Sequence, residues 1–230
     1  MEAGVLIVIP ARNEAATIGA VVGKLRQAGP FAILVVNDCS TDLTAARAAE
    51  AGAVMLSPVL PLGAWGAIQT GLRYAEKRGF DCVVTLDADG QHESRFVPDL
   101  LEKIRSGEAD VVIGAYPARG SPARRLAWAF FRKLTGFEFA DLTSGFRAYN
   151  RRAIELLSDE EATLLDYQDV GVLLLLRQAG LRIVEVPVSM QLRANGISRV
   201  FCSWWAVFRY LLETGVLCLA HWGGRKRAST

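Results

Sequence analysis

Val5-Leu6-Ile7-Val8-Ile9 runs without a polar break and stops at Pro10. A strand with one face in water would alternate apolar and polar residues. Five consecutive apolar residues, four of them β-branched, describe a strand covered on both faces, as the strands of a parallel sheet are. Outward from this run the pattern alternates. Ile18, Val21, Val22 and Leu25 predict a helix over roughly 14–28, and Ile33-Leu34-Val35-Val36 predicts a second strand. There follow a helix at 41–51, a short strand at 53–56, a helix at 63–78, a strand at 83–86, a helix at 93–106 and a strand at 111–113. Such alternation implies a parallel sheet with right-handed crossovers and helices on both faces. The second half is less regular: a basic, aromatic helix at 123–134, a strand at 143–149, helices at 151–158 and 166–179, a strand at 183–188 and a last helix at 200–221. The expected class is therefore α/β, with a mostly parallel central sheet flanked by helices. At 230 residues, with no repeat or linker, one domain is the economical reading.

Charge is unevenly distributed. The formal net charge is +2, yet residues 193–230 alone carry Arg193, Arg199, Arg209, Arg225, Lys226 and Arg227 against Glu213. A basic, aromatic end on an otherwise slightly acidic body points to an anionic partner there. Cys39, Cys82, Cys202 and Cys218 show no metal-ligand spacing and read as small thiols in a reducing compartment. No basic segment and cleavage site precede the first apolar run, so no signal peptide is expected. No uncharged apolar run reaches the ~18–20 residues that a spanning helix needs.

In parallel sheets ligands bind beyond the carboxyl ends of the strands, so the residues after each apolar run carry the chemistry. The most informative segment is Val83-Val84-Thr85-Leu86-Asp87-Ala88-Asp89-Gly90-Gln91-His92. Two carboxylates one residue apart, in an extended segment, point to the same side. Asp87 and Asp89 then suit a single hard cation, Mg2+ or Mn2+, with coordination positions left for phosphate. Asp-x-Asp before Gly is also ordinary turn chemistry. The first strand ends in Pro10-Ala11-Arg12-Asn13-Glu14 and the second in Asn37-Asp38-Cys39-Ser40-Thr41-Asp42. Asn13, Thr17, Ser40 and Thr41 are equally helix-cap types. Asp38 is placed to accept hydrogen bonds from a nucleobase or ribose. Neither G-x-G-x-x-G nor G-x-x-x-x-G-K-[ST] is present, which removes the dinucleotide-binding and P-loop readings.

Those three segments, in that order, resemble the GT-A-fold glycosyltransferases of family 2. Leu62-Gly63-Ala64-Trp65-Gly66-Ala67-Ile68-Gln69-Thr70-Gly71, Ser144-Gly145-Phe146-Arg147 and Glu185-Val186-Pro187-Val188 extend the resemblance over nearly the whole chain. The branch it most resembles is the dolichol-phosphate mannose synthase-like and polyprenyl-phosphate glycosyltransferases. The resemblance implies that Pro10, Arg12, Glu14, Val36 and Asp38 line a nucleoside pocket. It implies that Asp87, Asp89 and Gln91 bind the metal, with Ala88 beside the donor. Arg193 and Arg199 match the spacing of basic residues that grip phosphate, work suited to a permanently charged bidentate group. Paired arginines are also common on a solvated surface. Asp169 is the candidate general base, required if the acceptor is a hydroxyl. A phosphate acceptor, with a second pKa of about 6, is already largely ionised and needs no strong base. The implied reaction is an inverting transfer of a hexose from a UDP- or GDP-sugar to a polyprenyl phosphate or related envelope lipid.

Several positions depart from the family pattern. Asn37 replaces the first acid of the usual pair, Trp65 stands where glycine is common, and Gln168 precedes Asp169 where an acidic pair is frequent. Tyr116 takes a common arginine position, whose phosphate role passes to Arg119, Arg124 or Arg125 or is lost. These departures keep open a non-catalytic nucleotide-sugar binding module. A soluble sugar or peptide hydroxyl acceptor is the other alternative. His92 reads as a hydrogen-bonding neighbour of the ligands or a surface group rather than a ligand.

Two parts of one unit are expected: the transferase domain over 1–200 and a C-terminal aromatic, basic helix and tail over 201–230. Trp204, Trp205, Phe208 and Tyr210 with Arg225-Lys226-Arg227 suit a helix lying in a membrane interface; packing on the domain or on a homodimer partner is the alternative. The expected partners are thus a nucleotide-sugar and a lipid-linked acceptor, with no nucleic acid. The expected location is the cytoplasm, peripheral on the cytoplasmic face of the membrane.

Overall fold

Seven strands in the order β3-β2-β1-β4-β6-β5-β7 form one sheet. The structure, a computed structural model, describes residues 4–119, 122–164 and 170–191. β1 (Val5–Ala11), β2 (Ala32–Asn37), β3 (Val54–Leu56), β4 (Cys82–Thr85), β5 (Val111–Ala115) and β7 (Ile183–Pro187) run parallel to their same-sense neighbours, while β6 (Arg147–Asn150) runs antiparallel between β4 and β5. The helices are α1 (Ile18–Ala28), α2 (Thr44–Glu50), α3 (Gly63–Arg78), α4 (Val97–Arg105), α5 (Pro122–Thr135), α6 (Arg151–Ser158) and α7 (Val170–Gln178).

The unbroken apolar runs are explained by two cores, one on each face. Val5, Ile7 and Ile9 join Ile33, Val35 and Val84 under α1 and α4, whereas Leu6 and Val8 join Leu34, Val36 and Val83 under α3, α5, α6 and α7. Strand alternation sends successive side chains to opposite faces, and both faces are covered. Complete burial of each such side chain stabilises by about 1.5–3 kcal/mol. α3 lies close on the sheet: a Cβ on Gly71 would fall 2.3 Å from Val8 Cγ1.

The strands of the first half all run in one sense, as the alternation predicts, and β6 enters antiparallel between β4 and β5 from the second half. The strand expected at 143–149 forms only from Arg147. Before it, Thr143 N–H donates to Asp141 Oδ1 at 3.2 Å and Phe146 N–H to Ser144 Oγ at 3.3 Å, while the Phe146 carbonyl still accepts from Gly114 N–H of β5 at 2.8 Å. Helix starts were also expected too early. The 14–28 helix begins at Ile18 and the 41–51 helix at Thr44, because the residues before them form loops at the site. In the 93–106 segment, a 3-10 turn Ser94–Phe96 precedes α4. The helix expected at 200–221 lies outside the described residues, as do residues 166–169 of the one expected at 166–179.

At the edge opposite the strand carboxyl ends, Asp110 fastens three strands. Its Oδ1 accepts from Asn150 Nδ2 at 2.8 Å and its Oδ2 from the Arg182 backbone N–H at 2.8 Å, while Asn150 Oδ1 caps α6 by accepting from Ala153 N–H at 2.9 Å. Burial pushes the Asp110 carboxyl up, but the Arg182 and Asn150 hydrogen bonds outweigh it and hold the group below the usual carboxylate range.

Candidate active site at the carboxyl edge of the sheet

β1 continues to β2 on one side and is flanked by β4 on the other, so strand order reverses between β1 and β4. Such a switch point splays the loops that follow the two strands and opens a crevice between them. Here those loops are residues 12–17 and 86–93, with the loop after β2 alongside.

The loops after β1 and β2 are laced together by their own polar side chains. Asn13 N–H donates to Ser40 Oγ at 3.0 Å, Thr41 N–H to Asn13 Oδ1 at 2.8 Å, Ala15 N–H to Asp42 Oδ2 at 3.2 Å and Glu14 N–H to Thr44 Oγ1 at 2.8 Å. Asn13 and Cys39 both take φ of 54°, the left-handed region that non-glycine residues rarely occupy. The helix-cap alternative for Thr17 fails, since it makes no side-chain cap to α1; Asn13, Ser40 and Thr41 serve loop against loop. Among the nucleoside-pocket candidates, Pro10 pairs in register with Val36 and Ala11 with Asn37. Arg12 is exposed and Glu14 half-buried at the loop surface. The Val36 side chain is completely buried in the core, so only its backbone faces the strand end.

Asp38 is 4% exposed. Its Oδ1 accepts from Leu62 N–H at 2.6 Å and its Oδ2 from Gly63 N–H at 3.1 Å. The carboxylate thus holds the N-terminus of α3, where N–H groups lack helical partners and negative charge is favoured. Asn37 beside it donates Nδ2 to Ser57 Oγ at 3.4 Å; an amide at this position avoids a second buried negative charge next to Asp38.

The Asp87–Gln91 segment turns rather than extends. Residues 88–90 form a turn with Gly90 at φ 77°, and Asp89 Oδ1 accepts from Gln91 N–H at 3.1 Å. The same-side argument from strand geometry therefore does not apply, and both carboxylates are instead presented by a tight loop at the crevice. The Asp87 side chain is 45% exposed, Asp89 and Gln91 are half-buried, and Ala88 is buried in the core beneath them. Gln91 donates Nε2 to the Gln191 carbonyl at 3.3 Å, which turns its own oxygen away from that contact. Asp87, Asp89 and Gln91 together present oxygen donors, the chemistry of a hard divalent cation. Among the described residues no cluster of three His, Cys, Asp or Glu forms. Two carboxylates and an amide leave coordination positions for phosphate oxygens and water, as Mg2+ or Mn2+ at a diphosphate requires.

A wall behind Asp87 was not singled out from sequence spacing. A Cβ on Gly145 would fall 2.9 Å from Asp87 Oδ1. Thr85 Oγ1 donates to the Gly145 carbonyl at 2.8 Å, and Ser144 Oγ to the Gly114 carbonyl at 2.7 Å. Residues 144–146 are therefore packed directly against the carboxylate. His92 is buried, with Nε2 3.1 Å from Asp87 Oδ2, so it is a hydrogen-bonding neighbour and not a surface group. Only the Ser-Gly-Phe-Arg resemblance signalled this wall.

Two of the positions that depart from the family pattern are packed into the fold. Trp65 is buried and donates Nε1 to the Ala162 carbonyl at 2.7 Å, so it anchors residues 160–164 on α3. Tyr116 N–H approaches Asp141 Oδ2 at 3.4 Å and its side chain packs on the core. Arg125 is exposed on α5. Asp169, Arg193 and Arg199, with Gln168, lie outside the described residues, and the side chains of Arg119 and Arg124 are likewise not described. The chain just before Arg193 is nevertheless fixed at the site: Gln191 N–H donates to the Gln91 carbonyl at 2.9 Å, and Met190 pairs with His92.

Comparison with known proteins bears on this geometry. The model of the family described as glycosyl transferase family 2 matches residues 6–157. The undecaprenyl-phosphate mannosyltransferase of Micrococcus luteus is 34% identical, covering 85% of this chain and 87% of its own. The polyprenol monophosphomannose synthase of Mycolicibacterium smegmatis is 28% identical, covering 96% and 88%. Among solved structures, glucosyl-3-phosphoglycerate synthase from Mycobacterium tuberculosis, in complex with Mn2+, uridine diphosphate and phosphoglyceric acid, superimposes with a TM-score of 0.69 at 26% identity over 84% of this chain and 72% of that one.

Proposed function

The chain belongs to glycosyltransferase family 2, and we propose that it moves a hexose from a UDP- or GDP-sugar to a polyprenyl phosphate at a membrane surface. The observation that carries this reading is that the Asp87-to-Gln91 loop and the interlaced loops after β1 and β2 leave the same carboxyl edge of the sheet at the switch point. The lipid acceptor is supported by the two relatives named for undecaprenyl phosphate and polyprenol, which also favour mannose as the sugar.

In this reading the loops after β1 and β2 seat the nucleoside, with Pro10, Arg12, Glu14 and the strand-end backbone at Val36 around it and Asp38 as acceptor. Asp87, Asp89 and Gln91 would hold Mg2+ or Mn2+, which when bound offsets the charge of the departing diphosphate. The neighbouring solved structure that contains Mn2+ and uridine diphosphate supports a divalent ion. Arg193 and Arg199 follow the residue bonded to Gln91 and complete the neutralisation of the diphosphate. An ionised oxygen of the acceptor phosphate attacks the anomeric carbon from the face opposite the diphosphate. The new carbon–oxygen bond forms as the bond to the diphosphate breaks, which releases the nucleoside diphosphate and inverts the centre. With a phosphate nucleophile Asp169 is not required as a base.

Membrane contact is supported within the described residues by α5. Leu126 and Phe130, one turn apart, are 66% and 49% exposed, with exposed Arg125 and Lys133 beside them. The helix contains no acidic residue. Exposed apolar side chains among cations suit the interface of an anionic bilayer. Among the described residues no helix is long and apolar enough to cross a membrane. Free Cys39 and Cys82 suit the cytoplasmic face.

The test is direct. Purified chain is incubated with undecaprenyl phosphate, each of a panel of UDP- and GDP-sugars, and Mn2+ or Mg2+, and the lipid products are read by mass spectrometry. A hexosyl phospholipid formed from one donor supports the reading. Transfer only to a soluble acceptor such as phosphoglyceric acid, or no transfer from any donor, overturns it.

A further inference from the structure

We infer that His92 is a positioning residue whose imidazole fixes the rotation of the Asp87 carboxylate at the proposed cation site. The inference rests on the reading of Asp87, Asp89 and Gln91 as cation ligands and extends it to a residue that is not itself one.

Three observations converge on the ring. The His92 side chain is 1% exposed whereas that of Asp87 is 45% exposed, and Nε2 stands 3.1 Å from Asp87 Oδ2. The ring packs on Phe146 with centroids 5.2 Å apart and planes at 40°. The backbone at His92 is held by its bridge to Met190. An ionised carboxylate only accepts hydrogen bonds, so Nε2 is the donor. Held on one side by Phe146 and along the chain by Met190, the imidazole presents that hydrogen in one direction. The wall at Gly145 limits the carboxylate from another side. Together they leave Asp87 little freedom to swing out of the crevice.

The remaining ring nitrogen shows why packing alone does not account for the residue. Nδ1 is buried and has no hydrogen-bond partner among the described residues. A buried unpaired polar atom works against stability, and an apolar side chain stacked on Phe146 would avoid it. The imidazole is explained by what its other nitrogen does. Hydrogen-bond partners behind a metal ligand hold it in orientation and preserve its basicity.

The experiment measures Mn2+ binding to the full chain, saturated with UDP or GDP, from the paramagnetic resonance signal of the free ion. It compares His92→Gln, which keeps an N–H donor at a similar reach, with His92→Phe and His92→Leu, which keep apolar packing without a donor. Melting temperatures are recorded for all three, with Asp87→Ala as reference. Val21, Leu25, Leu86 and Gly90 lie around the ring with Phe146 and supply apolar surroundings for the replacements. The expected result is a Mn2+ dissociation constant raised about tenfold or more in Phe and Leu, and within about threefold of wild type in Gln. The loss should not follow the melting temperature. Wild-type Mn2+ affinity in Phe and Leu overturns the inference, as does an equal loss in Gln. If Asp87→Ala also binds Mn2+ like wild type, the cation site itself is misplaced, a failure distinct from that of His92 alone.

Discussion

The Cα of Gly145 is set so closely against Asp87 that a methyl group there would stand 2.9 Å from the carboxylate Oδ1. Oδ1 is the far end of a side chain, so the fold can absorb Gly145→Ala by rotating Asp87. The site cannot, because that rotation strains the bond to His92 at 3.1 Å. The expected outcome is a melting temperature within a few degrees of wild type and a Mn2+ requirement raised about tenfold, of the size that losing ligand orientation causes. Thermal denaturation alongside Mn2+ titration of transfer activity checks it; a large loss of stability with unchanged Mn2+ requirement would contradict it.

Asp38→Ala removes both acceptors at the start of α3. The expected destabilisation is about 1–2 kcal/mol, the usual range for an N-terminal helix cap, read from urea unfolding. Nucleotide affinity should fall as well, because residues 57–62 leading into α3 lose their tie to the pocket. Unfolding at the wild-type urea concentration would contradict the capping role.

On α5, Arg125→Ala and Lys133→Ala should each weaken binding to anionic vesicles about fivefold, from roughly 1 kcal/mol per cation near such a surface. Leu126→Glu with Phe130→Glu should abolish it while nucleotide binding is kept. Vesicle flotation with and without added salt reads both; undiminished flotation of the double glutamate variant would remove α5 from the membrane contact.

Asp110 gives a pH signature remote from the site. Its carboxyl is held below the usual range by the Arg182 and Asn150 hydrogen bonds, which outweigh the upward push of burial. A folded-state value below the unfolded one contributes stability that is complete above about pH 4, the unfolded range, and is lost as pH falls through the folded value. Asp110→Asn should therefore destabilise by about 1–3 kcal/mol near neutrality, the cost of a buried partner lost, and the gap to wild type should narrow in acid. Urea unfolding at pH 7 and pH 3 checks the sign. A gap that widens in acid would contradict it.

How much of this was legible in the sequence differs from residue to residue. β1, β2 and β5 were plain because both faces of each are buried and the apolar runs are unbroken. β6 was legible as a strand, but not its start or its antiparallel sense, since the N–H groups of Thr143 and Phe146 turn to Asp141 and Ser144. The Asp87 and Asp89 pair was found by its place after an apolar strand, but its geometry was mistaken: Gly90 at positive φ makes a turn where an extended segment was assumed. Asp38 stood out as a carboxylate at a strand end. That it holds Leu62 and Gly63 was not legible, because no periodic pattern links residues 24 and 25 positions apart. Trp65, read as a departure at the site, is a core anchor.

The central claim is that the Asp87-to-Gln91 loop binds nucleoside diphosphate through a divalent ion. Calorimetric titration of UDP and GDP into the full chain, with and without Mn2+, tests it most directly when repeated on the Asp87→Ala, Asp89→Ala double variant. The expected result is wild-type affinity for one nucleotide that rises with Mn2+, and a double variant in which Mn2+ no longer helps. Nucleotide binding indifferent to Mn2+ in the wild type, or an undiminished Mn2+ effect in the double variant, would contradict it.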